Sequence, residues 1–217
     1  MNATAENPTS SLAQQAYEIL EEKLVTLQLP PGALVSEGEL IEMSGIGRTP
    51  VREAIQRLAN QELFQVMPRK GLMVSPVSRT TMLHILETRK PLERLMVHRA
   101  ALNARDEQRS SLSAIARDIA LVHDRLDEFL RLDLALDKLV DECAGNPYAT
   151  AALAPFRSHS RRFWYFNRHQ VKLSDAISTH ASLARLIARR DANGAEKASD
   201  SSIAVLERLA AGIDRIS

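Results

Sequence analysis

Arg48 and Arg52 stand one helical turn apart in the run Gly47-Arg48-Thr49-Pro50-Val51-Arg52, so both guanidinium groups project from the same end of one helix. Guanidinium can bond the edge of guanine through two parallel hydrogen bonds, or pair with phosphate. Thr49 adds a hydroxyl, and Pro50 suits the first turn of a helix. The unpaired N–H groups at such a helix start favour an anion. The plainer alternative is a solvated arginine pair on an ordinary helical hairpin, since many hairpins never meet nucleic acid.

The segments around this pair must hold it in place. Ser36 precedes Glu39 as a capping-box pair, opening a short helix in which Leu40 and Met43 face Val51, Ile55 and Leu58 of the arginine-bearing helix. Gly45 can take the positive φ of the tight turn between them, which makes a helix-turn-helix. Before it, Ser10 or Ser11 caps a helix striped by Leu12, Ala16, Ile19, Leu20, Leu24 and Leu27, which Leu29-Pro30-Pro31-Gly32 stops. After it, Phe64-Gln65-Val66-Met67 and Leu72-Met73-Val74-Ser75 alternate like strands around the turn Pro68-Arg69-Lys70-Gly71. A strand pair with a basic tip directly after a helix-turn-helix reads as a wing, whose Arg69 and Lys70 can reach a DNA backbone or minor groove.

Beyond Pro76 the pattern turns wholly helical. Successive helices are expected over Thr80 to Ala104, with a kink at Pro91, then Asp106 to Val122, Leu126 to Ala144, Pro147 to about Asn167, Asp175 to Arg190 and Gly194 to Ile216. The fold class is therefore mainly α: a disordered tail over 1–10, a winged helix-turn-helix over 11–77 and an all-helical bundle over 78–217. A chain of 217 residues with 45% hydrophobic content can bury a real core. The net charge of +1 means that any DNA site rests on local clustering of charge. The one cysteine, Cys143, reads as a small core residue. The chain has neither a signal pattern nor a membrane-length apolar run, so a cytoplasmic location is expected.

Taken together, Pro31-Gly32, Leu34, Glu37, Leu40, Gly45-Ile46, Arg48-Thr49-Pro50-Val51-Arg52-Glu53-Ala54-Ile55, Arg57-Leu58, Glu62-Leu63 and Gly71 resemble the winged-helix domain of GntR-type bacterial transcription regulators. The core Arg-Thr-Pro-Val-Arg-Glu-Ala is highly specific to that family, and the helical part resembles its FCD ligand-sensing domain. The resemblance implies a homodimer that binds an imperfectly palindromic duplex operator and releases it when a small carboxylic acid occupies the bundle. Carried over, the DNA contacts fall on Arg48, Thr49, Pro50 and Arg52, with wing contacts at Arg69, Lys70 and Gly71. Two positions depart from the family. Gly47 stands where a Ser or Thr often caps the recognition helix, and Gly38 where a basic residue often follows Glu37.

The same resemblance implies one divalent metal ion in the bundle. Asp133 matches a ligand, but the family's histidine four residues on is Asp137; His180 matches another ligand, while the last histidine's place is Ser202. Asp133, Asp137 and His180 would favour a harder or more weakly held ion than three imidazoles would. The alternative keeps the DNA role with a metal-free pocket, where a carboxylate effector meets Arg89, Arg161 or Arg162. Phe163-Trp164-Tyr165-Phe166 is expected as core and pocket wall. His84, His98, His123, His159 and His169 have no ligand-like spacing. A metal-dependent enzyme in the bundle is the rival class; no general base or nucleophile is placed for it.

Overall fold

The structure is a computed structural model that describes residues 11–170 and 173–212. The expected tail over 1–10 lies outside the described residues. The chain divides into two compact units, Met1–Val77 and Ser78–Ser217.

In the first unit, Ser11 caps α1 (Leu12–Val25) by accepting a hydrogen bond from the Gln14 N–H at 3.1 Å. The two-residue strand β1 (Leu34–Val35) leads into α2 (Glu37–Ser44). There the capping box closes from both sides: Ser36 Oγ accepts from the Glu39 N–H at 3.2 Å, and Glu39 Oε2 accepts from the Ser36 N–H at 2.7 Å. Gly45, at φ +66°, makes the left-handed turn into α3 (Arg48–Asn60). The hairpin β2 (Phe64–Met67) and β3 (Gly71–Val74) follows, and the antiparallel sheet has the order β1-β3-β2.

Leu20, Leu24, Leu40, Val51, Leu58, Leu63, Phe64 and Val74 close the core of this unit. Met43 does not join them; it is 45% exposed. Leu40 and Ile41 sit about 100° apart on α2 and share its inner face, which leaves Met43 on the flank. Leu12, expected in the α1 stripe, is likewise exposed.

The second unit holds α4 (Arg79–Asn103), α5 (Asp106–Leu121), α6 (Leu126–Ala144), α7 (Pro147–Phe166), a 3₁₀ turn over Arg168–Gln170, α8 (Leu173–Ala188) and α9 (Ala192–Ala211). The long α4 packs against α6, α7, α8 and α9, while α5 lies on α6 and α8. At Pro91 α4 continues as one helix. Pro91 and Glu87, whose carbonyl loses its intrahelical donor, are both exposed, so water can take that donor's place. Pro155 is accommodated inside α7 too, with the affected carbonyl on exposed Ala151. Leu83, Leu95 and Leu102 of α4 are exposed. Cys143 is buried, and burial first, then the Glu142 charge, pushes its thiol up to about 11.

Gly71 has φ +93°, and a Cβ there would lie 2.8 Å from the Val35 carbonyl oxygen. Strain and clash act together, so Gly71→Ala is expected to destabilise the first unit by about 1–3 kcal/mol. Urea unfolding followed by circular dichroism checks this.

Candidate nucleic-acid interface and bundle cavity

Arg48 and Arg52 open α3 with side chains 72% and 62% exposed. Both are held by one carboxylate from α2: Glu37 Oε1 lies 3.4 Å from Arg48 Nε, and Glu37 Oε2 accepts from Arg52 Nε at 2.8 Å. Glu37 therefore ties the first turns of α2 and α3 together and fixes the guanidiniums side by side. Exposed Thr49 and half-buried Pro50 share this turn. No side chain caps the helix from Gly47, so its first N–H groups remain available to an anion. Arg57, further along α3, is engaged internally: it stacks 3.8 Å over the Tyr17 ring and donates to Gln14 at 2.8 Å. At the hairpin tip Arg69, Lys70 and Gly71 are all exposed, and the Lys70 N–H closes the turn on the Met67 carbonyl at 3.0 Å.

In the second unit, α4, α6, α7, α8 and α9 enclose a cavity of about 40 Å³, room for about three water molecules. Of the expected residues, Arg89, Asp133, Asp137, Arg161, His180 and Ser202 line it. Arg162 does not; it is buried elsewhere in the bundle, and burial pushes its guanidinium down to about 10. Trp164 is buried and on the wall, and Phe163 is buried, whereas Phe166 is 49% exposed. The sequence reading missed Arg157 and Asp141. Arg157, only 3% exposed, donates to Glu93 through Nε and Nη2, both at 2.9 Å, and through Nη1 to Asp141 at 2.9 Å. It also lies 3.3 Å from Asp137. Arg89 donates to Glu93 at 2.9 Å. The signal was present in the spacing. Asp133, Asp137 and Asp141 recur every four residues on α6, and Arg157 and Arg161 do so on α7, so two complementary ladders face each other.

These contacts set the protonation of the cluster. Burial alone would raise Glu93, but Arg157 and Arg89 hold it at about 2. Burial also opposes the Asp133 charge, yet His180, Arg161 and Arg89 keep that carboxyl well below the usual range. Asp137 goes the other way: burial, with Asp133 and Glu93 nearby, raises it to about 6 against the pull of Arg157 and Arg161. Burial disfavours charged His180, but the Asp133 hydrogen bond and charge outweigh it and raise the ring's pKa.

The residues as placed do not fit a metal ion. Arg161 Nη1 lies 2.8 Å from Asp137 and 3.3 Å from Asp133, so a guanidinium stands between the two carboxylates. His180 Nε2 is turned to Asp133 at 3.3 Å, and Ser202 bonds the Ala198 carbonyl of its own helix. Among the described residues, no group of three or more His, Cys, Asp or Glu side chains is arranged to hold an ion.

A winged helix with an exposed arginine pair is joined in one chain to a helical bundle around a cavity that holds a cluster of ion pairs. The comparisons agree. The sequence profile described as "Bacterial regulatory proteins, gntR family" matches residues 12–74, and that of the FCD domain matches residues 84–205. The HTH-type transcriptional repressor RspR of Escherichia coli (strain K12) is 27% identical over 195 residues, 88% of this chain and 86% of that protein. A fatty acid metabolism regulator protein of Edwardsiella ictaluri is 29% identical over 193 residues, covering 81% of this chain and 80% of the relative. Among solved structures, E. coli McbR/YncC superposes with a TM-score of 0.76 at 20% identity, over 93% of this chain and 99% of that one. A GntR-type regulator from Rhodococcus sp. RHA1 gives 0.71 at 15% identity, over 92% and 97%. The chain belongs to the GntR family of transcriptional regulators, with a C-terminal FCD domain; it is a DNA-binding regulator and not an enzyme. None of the helices among the described residues is long and apolar enough to cross a membrane.

Glu93→Gln removes the carboxylate shared by Arg157 and Arg89, and is expected to destabilise the bundle by about 3 kcal/mol. The sign of the pH effect follows from the depressed Glu93 value. Its contribution is fully present above 4.5 and is lost as pH falls toward about 2. Thermal unfolding of both proteins across that window checks it: the gap should be widest above pH 4.5 and close in acid.

Proposed function

We propose that this regulator is a homodimeric repressor whose two α3 helices enter successive major grooves of a palindromic operator. The observation that carries the reading is the exposed Arg48–Arg52 pair, aligned by Glu37 at an uncapped helix start. In this reading Arg48 and Arg52 bond guanine edges or anchor phosphates, and Thr49 and Pro50 pack against the groove. Arg69, Lys70 and Gly71 bring the wing tip onto the adjoining backbone or minor groove. The name of the E. coli relative, a repressor, supports the direction of control.

The bundle is the sensor, and its effector is a small carboxylic acid bound without a metal. Support comes from Arg89, Arg157 and Arg161, whose guanidiniums line the cavity and match carboxylate geometry. Each already holds an internal carboxylate, so the effector's acid group competes with Asp133 and Asp137 for Arg161. A cavity with room for about three waters must also widen to admit a metabolite. Ligand-bound and ligand-free bundles therefore differ, and an effector shifts DNA affinity only through such a difference.

Arg48→Ala and Arg52→Ala are each expected to weaken operator binding by about 10- to 100-fold, leaving unfolding unchanged because both side chains are exposed. Fluorescence anisotropy on duplexes selected by the wild-type protein from a random pool measures this, and unchanged affinity in both variants sinks the recognition-helix assignment. Lys70→Ala should instead weaken all duplexes alike and lower the salt slope by about one. For the sensor, a thermal-shift screen should find stabilising mono- or dicarboxylic acids, with the effect lost in Arg161→Gln. Stabilisation by amines or sugars and by no acid would refute the carboxylate reading.

A further inference from the structure

We infer that the Arg161 guanidinium is the resident cation of the bundle site, standing where a divalent ion would otherwise bind and excluding one. The inference deepens the reading of the cavity as the effector site, because it makes an arginine rather than a metal the group that faces the ligand. Three independent features carry it.

The first is position. Asp133 and Asp137, one turn apart on α6, direct their Oδ2 atoms to the same Arg161 nitrogen, at 3.3 and 2.8 Å. An ion bridging those carboxylates would have to displace the guanidinium, which is only 9% exposed and keeps its charge when buried.

The second is the orientation of His180. Its Nδ1 lies 2.7 Å from the Ala176 carbonyl oxygen, and its Nε2 is turned to Asp133 Oδ1 at 3.3 Å. The nitrogen a metal would need is therefore directed at a carboxylate that Arg161 also holds.

The third is charge pairing. Glu93, Asp133, Asp137 and Asp141 each have a guanidinium of Arg157 or Arg161 within 3.3 Å, so an ion entering there would have to break one of these pairs.

The test is metal content, read on the full chain without DNA or effector. Wild-type protein grown with zinc, manganese and nickel and dialysed against metal-free buffer should hold far less than one ion per chain by elemental analysis. Titration with the same metals should leave its unfolding temperature unmoved. Arg161→Met, which removes the cation shared by both aspartates, should gain about one ion per chain and a metal-dependent rise in unfolding temperature. Arg161→Lys retains a cation and should remain metal-free, with its folding checked by circular dichroism. A wild-type protein that keeps one equivalent of metal, lost in Asp133→Asn, overturns the inference, and this arm needs no Arg161 variant to fold. A folded Arg161→Met that takes up no metal overturns it as well. Loss of operator binding in Arg48→Ala bears on the regulator reading alone, so the two can fail separately.

Discussion

The interaction on which the bundle depends is the one made by Arg157. Its guanidinium, almost fully buried on α7, reaches Glu93 on α4 and Asp137 and Asp141 on α6, so one planar cation joins three helices. Apolar burial is non-directional and would tolerate a range of helix rotations. A forked donor that must meet a bidentate partner on one side and a further carboxylate on the other does not. Charge buried this way does little for net stability, but its loss leaves unpaired charge behind, which makes alternative packings costly. Arginine serves the same end at the rims. Arg99 donates to the carbonyl of Ala144 at the end of α6, Arg109 to that of Ala188 at the end of α8, and Arg190 to that of Ala104 just past α4. Each supplies a donor to a helix terminus whose last carbonyls have none within the helix.

The winged helix solves a different problem with the same chemistry. A recognition helix needs its guanidiniums exposed, and exposed arginines carry large rotamer freedom that is lost on binding. Glu37 restrains both without burying either, from a helix start that the Ser36–Glu39 capping box has already fixed. The pairs are solvated, so they add little stability. Their effect is on arrangement: the two cations are set side by side at one helix end.

Local chemistry was the legible part of the sequence. The Ser36–Glu39 box, the turn at Gly45, the basic hairpin tip and the span Leu126–Ala144 follow from capping, turn and periodicity rules that act over a few residues. The rest depends on which face of a helix meets a neighbour, which a single helix does not encode. Met43, Leu95 and Leu102 satisfy helical spacing yet lie exposed. Arg161 and Arg162 are adjacent in sequence and about 100° apart on α7, so one lines the cavity and the other does not. Arg157 was missed because its partners come from two other helices. The matching four-residue ladders on α6 and α7 were the available clue.

That ladder also bears on how such a sensor would work. In a metal-centred site the ion supplies charge that the ligand completes, and an empty coordination position invites entry. Here every carboxylate of the cluster already has a cation, and the space left over holds only a few waters. On the proposed reading an acid would enter by exchange, taking a guanidinium hydrogen bond from Asp133 or Asp137. Exchange of like for like leaves a modest net affinity, but a large share of whatever is gained is tied to the change in helix packing. A regulator needs only about 1–3 kcal/mol of coupling between sites. A cavity of paired charges would suit that scale, because an acid that opened it would bind one packing of the bundle better than another.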